Sequence, residues 1–372
     1  MLPTAVRPRA CLPHLASPVR LALLILPSLA LIAATSSALA PAASAAPAPR
    51  VLARTAVLVD GATGAVIWQR GAHRSVLVAS TTKILTALVA EDAYAADTVF
   101  TVPRAAENVD GTRFGYQGGM RVRRHDLLTT LLMVSANDAA ETLAGAYPRG
   151  GRAGFLTAMQ EMAESFGCAD STWRDPSGLD APGHRASAAD LAILGRVLLS
   201  RPELARIVAT PWTRYRWPDG HVQVITNHNH LVSKSADPGA IGIKTGFTVS
   251  AHSTIVAAKR KGGRTLIAVA LATDDMYDDV RSMFAYGFAT RVPPGAEVLG
   301  RNPARESSFR GPTPLEPTPS RSGNQTASSL PATTNPLLSR LLPAPLPALA
   351  ATAIALLVLG VAVTALSRSQ RN

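Results

Sequence analysis

Three short clusters carry residue types that can run acyl-transfer chemistry. The first is Ser80-Thr81-Thr82-Lys83, which leads into Ile84-Leu85-Thr86-Ala87-Leu88-Val89-Ala90, apolar at helical spacing. That spacing starts a helix at Ser80 and puts Lys83 one turn on, on the same face. A serine hydroxyl is a weak nucleophile until a base takes its proton. A lysine buried beside it can be that base, because burial disfavours the charged amine. The helix N-terminus adds free N–H groups and positive potential where an oxyanion would form. Ser is also a common helix cap and Lys a common surface residue, so this pair decides nothing alone.

The second cluster, Ser135-Ala136-Asn137, falls in a break between two helical runs, 126–134 and 138–146. The third, Lys244-Thr245-Gly246, ends a run that reads as a strand. Other elements must hold the three together. Residues 55–60 and 65–68 read as a hairpin around Gly61-Ala62-Thr63-Gly64. A helix is predicted over 154–166. Ser187-Ala188-Ala189-Asp190 is a capping box opening a helix over 191–199. The alternating pattern resumes at 222–225, 253–258 and 265–271, and a last helix covers 276–288. Strands, a helical insertion, strands and a helix predict an α+β fold: an antiparallel sheet covered by helices, with an all-helical lobe beside it.

In this order and these contexts the trio is specific. The sequence resembles the D-alanyl-D-alanine carboxypeptidases, the low-molecular-mass penicillin-binding serine peptidases. Asp175-Pro176-Ser177-Gly178-Leu179, Thr226-Asn227-His228-Asn229, Gly242 to Thr248 and Tyr286-Gly287-Phe288 extend the likeness over about 50–291. It implies a β-lactamase/transpeptidase-like three-layer sandwich with a helical subdomain. It also implies roles: Ser80 as nucleophile, Lys83 as its base, and Ser135 on the proton's path to the leaving amine. Asn137, Lys244, Thr245, Gly246 and Phe247 would bind substrate, with the N–H groups of Ser80 and Phe247 as oxyanion hole. The substrate would be a peptidoglycan stem pentapeptide, with β-lactams as covalent inhibitors. No cofactor or metal is implied. Relatives often carry an arginine where this chain has Met276, and many add a β-rich domain where only a tether and an anchor are expected here.

Two rival readings share the fold. A class A β-lactamase would need a deacylating glutamate in E-x-x-L-N, but Ser171-Thr172-Trp173-Arg174-Asp175-Pro176 occupies that region. A catalytically inactive wall-binding module would not need Ser80, Lys83, Ser135 and Lys244 intact. Carboxypeptidase, endopeptidase and transpeptidase chemistry all pass through the same acyl-enzyme.

The ends read separately. Residues 1–45 resemble a secretory leader, with Arg7, Arg9 and Arg20 before an apolar core at 21–34 and an Ala43-Ser44-Ala45 cleavage site. Residues 301–345, rich in Pro, Ser and Thr, read as an extended tether. Residues 346–366 carry no charge and are long enough for a transmembrane helix; Arg368 and Arg371 in the tail at 367–372 favour a cytoplasmic end. The expected protein is exported and membrane-anchored, with its catalytic body outside. Without the three leader and two tail arginines, the formal charge of +12 falls to about +7 for the body. That suits an anionic polymer or membrane surface; no basic stripe with interleaved aromatics speaks for nucleic acid.

The remaining residues read as structural or stay open. With Cys11 in the leader, Cys168 is expected to be a buried, inert thiol. His228 and His230 lack an evident third ligand, so structural roles are favoured. Asp175 reads as a turn former. Trp212 and Trp217 could line a groove or pack.

Overall fold

The computed structural model describes residues 46–233 and 237–300; the expectations for leader, tether, anchor and tail lie outside them. Among the described residues no helix is long and apolar enough to cross a membrane.

A five-stranded antiparallel sheet forms the centre, in the order β2-β1-β9-β8-β7. Its strands are β1 (Thr55–Asp60), β2 (Val66–Arg70), β7 (Ala240–Thr248), β8 (His252–Lys261) and β9 (Arg264–Thr273). Strand side chains alternate between faces, and here both faces are covered. Ala56, Leu58, Ala268 and Ala270 meet Val280, Met283 and Phe284 of a C-terminal helix, α9 (Met276–Ala289). Val57, Val59, Val256, Ile267 and Val269 face the larger core. That core includes Leu191, Leu194 and Leu198 of α6 (Ala188–Ser200) and Ile84, Leu85 and Leu88 of α1 (Lys83–Ala93). Helix, sheet, helix is the three-layer sandwich expected.

The helical lobe is α3 (Arg124–Met133), α4 (Asn137–Gly145) and α5 (Gly151–Ser165), packed with α1. Leu127, Leu128, Leu131, Leu143, Phe155 and Met159, all fully buried, tie it together. Short elements complete the chain: β3 (Val99–Thr101), α2 (Arg104–Glu107), β4 (Arg121–Arg123), α7 (Pro202–Ala209), the hairpin β5 (Trp212–Arg216) and β6 (Val222–Thr226), and α8 (His230–Ser233).

Several boundaries depart from the sequence reading. The helix expected at Ser80 begins at Lys83; residues Ala79–Thr82 form a 3-10 turn. The Val78 carbonyl explains the tighter turn, since it accepts from Thr81 N, Thr81 Oγ1 and Thr254 Oγ1 instead of opening an α-helical ladder. Lys244-Thr245-Gly246 lies inside β7, which continues to Thr248. The Ser187 hydroxyl does accept from Asp190 N, but the helix it caps opens at Ala188 rather than 191. The body also continues past 291: Leu299 N donates to Gly64 O, and Val66 N donates to Glu297 O.

Candidate active site

Ser80 sits on the 3-10 turn and Lys83 opens α1 with no exposed surface. Lys83 Nζ is 3.0 Å from Ser80 Oγ, 2.7 Å from Asn137 Oδ1 and 2.5 Å from the Ser177 carbonyl. Burial first, and the charge of Lys244 second, push its pKa well below the usual lysine range. Asp175, Asp138 and Glu141 pull the other way and do not restore it. A neutral amine has two N–H bonds and one lone pair. The Asn137 and Ser177 oxygens accept only, so they take the two N–H groups. The lone pair is then left for the Ser80 hydroxyl. A protonated amine fills the same three directions, so a proton can move from Ser80 to Lys83 with little rearrangement.

Asn137 begins α4. Its N–H donates to Thr112 O at 2.8 Å, and its Nδ2 donates to Asp110 O at 2.6 Å. With Nδ2 spent there, Oδ1 must face Lys83. Gly111 allows this approach: it has φ 78, and a Cβ on it would come within 2.8 Å of Asn137 Nδ2. The buried Asp138 carboxylate anchors the same loop, accepting from the N–H groups of Phe114, Gly115 and Tyr116. Ser135 turns the chain between α3 and α4 in the left-handed region, φ 65, at a cost of about 1–2 kcal/mol for a non-glycine residue. Among the described residues it bonds neither Lys83 nor Lys244; those amines go elsewhere.

Asp175 forms the turn expected of it. Its Oδ1 accepts from Ser177 N, Gly178 N, Leu179 N and the Ser177 hydroxyl, while Oδ2 takes Arg152 Nη2 at 2.7 Å. Burial would raise its pKa, but the bonds from Ser177 and Leu179 and the Arg152 charge win, and it is lowered. The turn holds two carbonyls against α1: that of Ser177 on Lys83, and that of Pro176 on Thr86 Oγ1 at 2.5 Å.

The opposite wall is β7, the outermost strand of the sheet. A Cβ on Gly246 would lie 2.7 Å from Ser80 N and 2.7 Å from Thr254 Oγ1, so only glycine lets strand and turn meet here. Phe247, next along, is 67% exposed. Lys244 is 1% exposed and donates to the Thr245 carbonyl at 2.7 Å; burial lowers its pKa to about 7. Thr245 is buried beside it.

A nucleophile–lysine pair between a helical lobe and a free sheet edge is on the page, and comparison with known proteins agrees with it. The profile of peptidase S11, D-alanyl-D-alanine carboxypeptidase, matches residues 42–275. The chain belongs to this family of serine peptidases. It is 33% identical over 245 residues to the D-alanyl-D-alanine carboxypeptidase DacB2 of Mycobacterium tuberculosis, covering 64% of this chain and 82% of that one. The crystal structure of a D-alanyl-D-alanine carboxypeptidase from M. tuberculosis H37Rv superposes with a TM-score of 0.64 at 32% identity, over 70% of this chain and 98% of that one. The Streptomyces K15 DD-transpeptidase follows at 0.62 and 25%, over 66% and 100%.

The peptidase's site also draws on residues the sequence did not mark. The carbonyls of Ser177 and Asp110 are backbone acceptors without a side-chain signature, although the Asp-Pro-Ser-Gly turn pointed to the first. His184, 1% exposed, accepts from Arg174 N on Nδ1, which leaves its Nε2–H to donate to Thr82 Oγ1 at 2.9 Å. Burial lowers its pKa to about 4, so it stays neutral. Trp217 packs: it stacks on Phe114 at 4.8 Å and 4° and holds the Asn137 loop against the β5–β6 hairpin. Trp212 stays 57% exposed. His230 stacks on Tyr277, and His228 N donates to Met133 O. Cys168 is a buried free thiol. Met276 opens α9, partly buried against the core. A cavity of about 530 Å³, lined in part by Thr112, Val134 and His228, continues the site past Ser135.

Proposed function

We propose that the chain is a serine-type D-Ala-D-Ala carboxypeptidase that removes the terminal D-alanine from peptidoglycan stem pentapeptides. The observation that carries this is the Lys83 amine, whose two accepting neighbours leave its lone pair for Ser80 Oγ at 3.0 Å. Ser80 Oγ attacks the carbonyl between the two D-alanines and passes its proton to Lys83. The oxyanion faces the N–H groups of Ser80 and Phe247. The peptide lies along the β7 edge as a further strand, with its carboxylate toward Lys244 and Thr245. Asn137 must give up the Asp110 carbonyl to donate to the substrate. The proton returns to the leaving amine by way of Ser135, D-alanine departs, and water hydrolyses the ester on Ser80.

Penicillins enter the same path and stop at the ester. The acid on the loop beside Lys83, Asp175, is held by Ser177, Gly178, Leu179 and Arg152, so it is not free to activate a deacylating water. This favours a long-lived adduct over β-lactamase turnover. In our reading the enzyme is exported and works on the wall from a membrane anchor at 346–366.

The test is the full-length protein in neutral detergent with a pentapeptide ending in D-Ala-D-Ala. Free D-alanine should accumulate, and Ser80→Ala should abolish it. A folded parent that releases none, or a Ser80→Ala variant that still releases it, overturns the assignment. Labelled penicillin should map to Ser80 by mass spectrometry.

A further inference from the structure

A second cavity, of about 580 Å³, lies at the end of the sheet where the β1–β2 and β8–β9 turns approach α6 and α7. Its lining includes none of the catalytic or substrate-binding residues named above. Leu199, Ile241 and Ile267, with two alanines of α7, give it an apolar floor. Its charged lining is lopsided: Arg196, Arg260 and Arg264 against the single carboxylate of Asp60. Asp60 is largely committed, since Oδ1 accepts from Ala62 N, Thr63 N and Thr63 Oγ1, and Oδ2 is 3.7 Å from Arg264 Nη2.

The arginines are held in place. Arg196, 3% exposed, donates to the carbonyls of Gly61, Ala62 and Leu299. Arg264 Nη1 spans the carbonyls of Gly287 and Thr290 at 3.1 Å each. Arg260 Nε bonds Thr265 Oγ1, which leaves its terminal amines toward the exposed rim. Bonds to carbonyls and hydroxyls orient a guanidinium without cancelling its charge. Three positive and one negative group leave an excess of two positive charges around an apolar floor. Like charges near a low-dielectric wall repel, and an entering dianion relieves them.

We propose that this cavity binds a phosphate monoester carrying a short apolar group. Such a group holds about −1.5 to −2 charge near pH 7, which matches the excess. Guanidinium forks fit phosphate oxygens in pairs. The apolar substituent covers Leu199, Ile241 and Ile267. Inorganic phosphate would meet the rim and leave the floor wet. A phosphodiester of the lipid-headgroup kind would bring only one charge.

The experiment is calorimetry of the full chain in neutral detergent with four probes: n-butyl phosphate, dibutyl phosphate, inorganic phosphate and n-butanol. Butyl phosphate should bind on the order of tenfold tighter than each of the others, since both its charge and its methylenes are used. The double variant Arg260→Glu, Arg264→Glu should lose that binding by at least about tenfold and still form the penicillin adduct at Ser80 at the parent rate. Saturating butyl phosphate should not compete with penicillin. No binding to the parent protein overturns the proposal, whatever the variant does. Equal binding of inorganic and butyl phosphate overturns the role of the floor. Tighter binding of dibutyl phosphate assigns the cavity to headgroup diesters and overturns the charge match. Competition with penicillin would place the ligand at Ser80 instead. Only this last outcome bears on the carboxypeptidase reading, which the D-alanine assay tests separately.

Discussion

The two walls of the active site are built in opposite ways. On the lobe side, Lys83, Asn137, Ser177 and Asp175 are buried and nearly every polar atom has a partner inside the protein. On the sheet side, β7 presents a free edge, an exposed Phe247, and a lysine whose only partner is its own neighbour's carbonyl. The contrast separates two tasks. Proton transfer needs groups fixed before substrate arrives, because reorganising them would add to the barrier. Binding an extended peptide needs groups left unsatisfied until it arrives. Substitutions on the lobe side should therefore act on kcat and acylation rate, and those on the edge mainly on KM.

The largest effect belongs to Lys83. Lys83→Arg keeps the charge but cannot deprotonate. Penicillin acylation of Ser80 should fall by on the order of 10²-fold or more. A folded variant that acylates near the parent rate would transfer the base role to Ser135.

Gly246→Ala is the corresponding break on the edge. The new Cβ would stand 2.7 Å from Ser80 N, against backbone that cannot swing away. It should reduce kcat/KM by some tens of fold, through KM and through a displaced oxyanion donor. An unchanged KM would show that peptide does not run along this edge.

These two positions also show what sequence could and could not carry. Ser80, Lys83, Asn137 and Gly246 were legible because side-chain type and spacing are the signal, and the alternation of apolar residues gave the sheet and lobe. The 3-10 turn was not legible, because its cause is remote: Thr254, on β8, bonds the Val78 carbonyl. The β5 strand was missed because Arg214 and Arg216 alternate outward with Trp212, leaving little apolar density to read. The carbonyls of Ser177 and Asp110 belong to the backbone, whose partners no residue type announces.

Asp175 separates two explanations of the rigid wall. Asp175→Ala removes the acceptor of three N–H groups and should cost roughly 1–3 kcal/mol of stability. As the Ser177 carbonyl drifts from Lys83, kcat should drop by about tenfold with KM little changed. Asp175→Asn keeps an acceptor for the turn and should retain most activity. If both variants are equally impaired, the carboxylate's charge on Lys83 matters rather than the turn. Its loss would then also shift the acid limb of acylation to lower pH, because Asp175 raises the Lys83 pKa.

The smallest effect is the pH dependence at Lys244. Burial puts its pKa at about 7, whereas Lys83 bears both burial and the charge of Lys244. Two close like charges titrate as a pair, and the state with Lys83 neutral and Lys244 charged is the productive one. As pH falls, Lys83 gains a proton and acylation slows. As pH rises through about 7, the free enzyme loses the Lys244 charge that attracts a substrate carboxylate. A neutral lysine still donates hydrogen bonds, so only the charge-dependent part is lost, on the order of 1 kcal/mol. We expect kcat/KM to fall by about fivefold between pH 7 and 9. The fall in kcat should be smaller, because a bound carboxylate raises the Lys244 pKa. Lys244→Arg holds its charge at every working pH and should flatten that alkaline limb while leaving the acid limb in place. An alkaline limb that persists unchanged in Lys244→Arg would assign it to another group and leave the edge wall without its proposed cation.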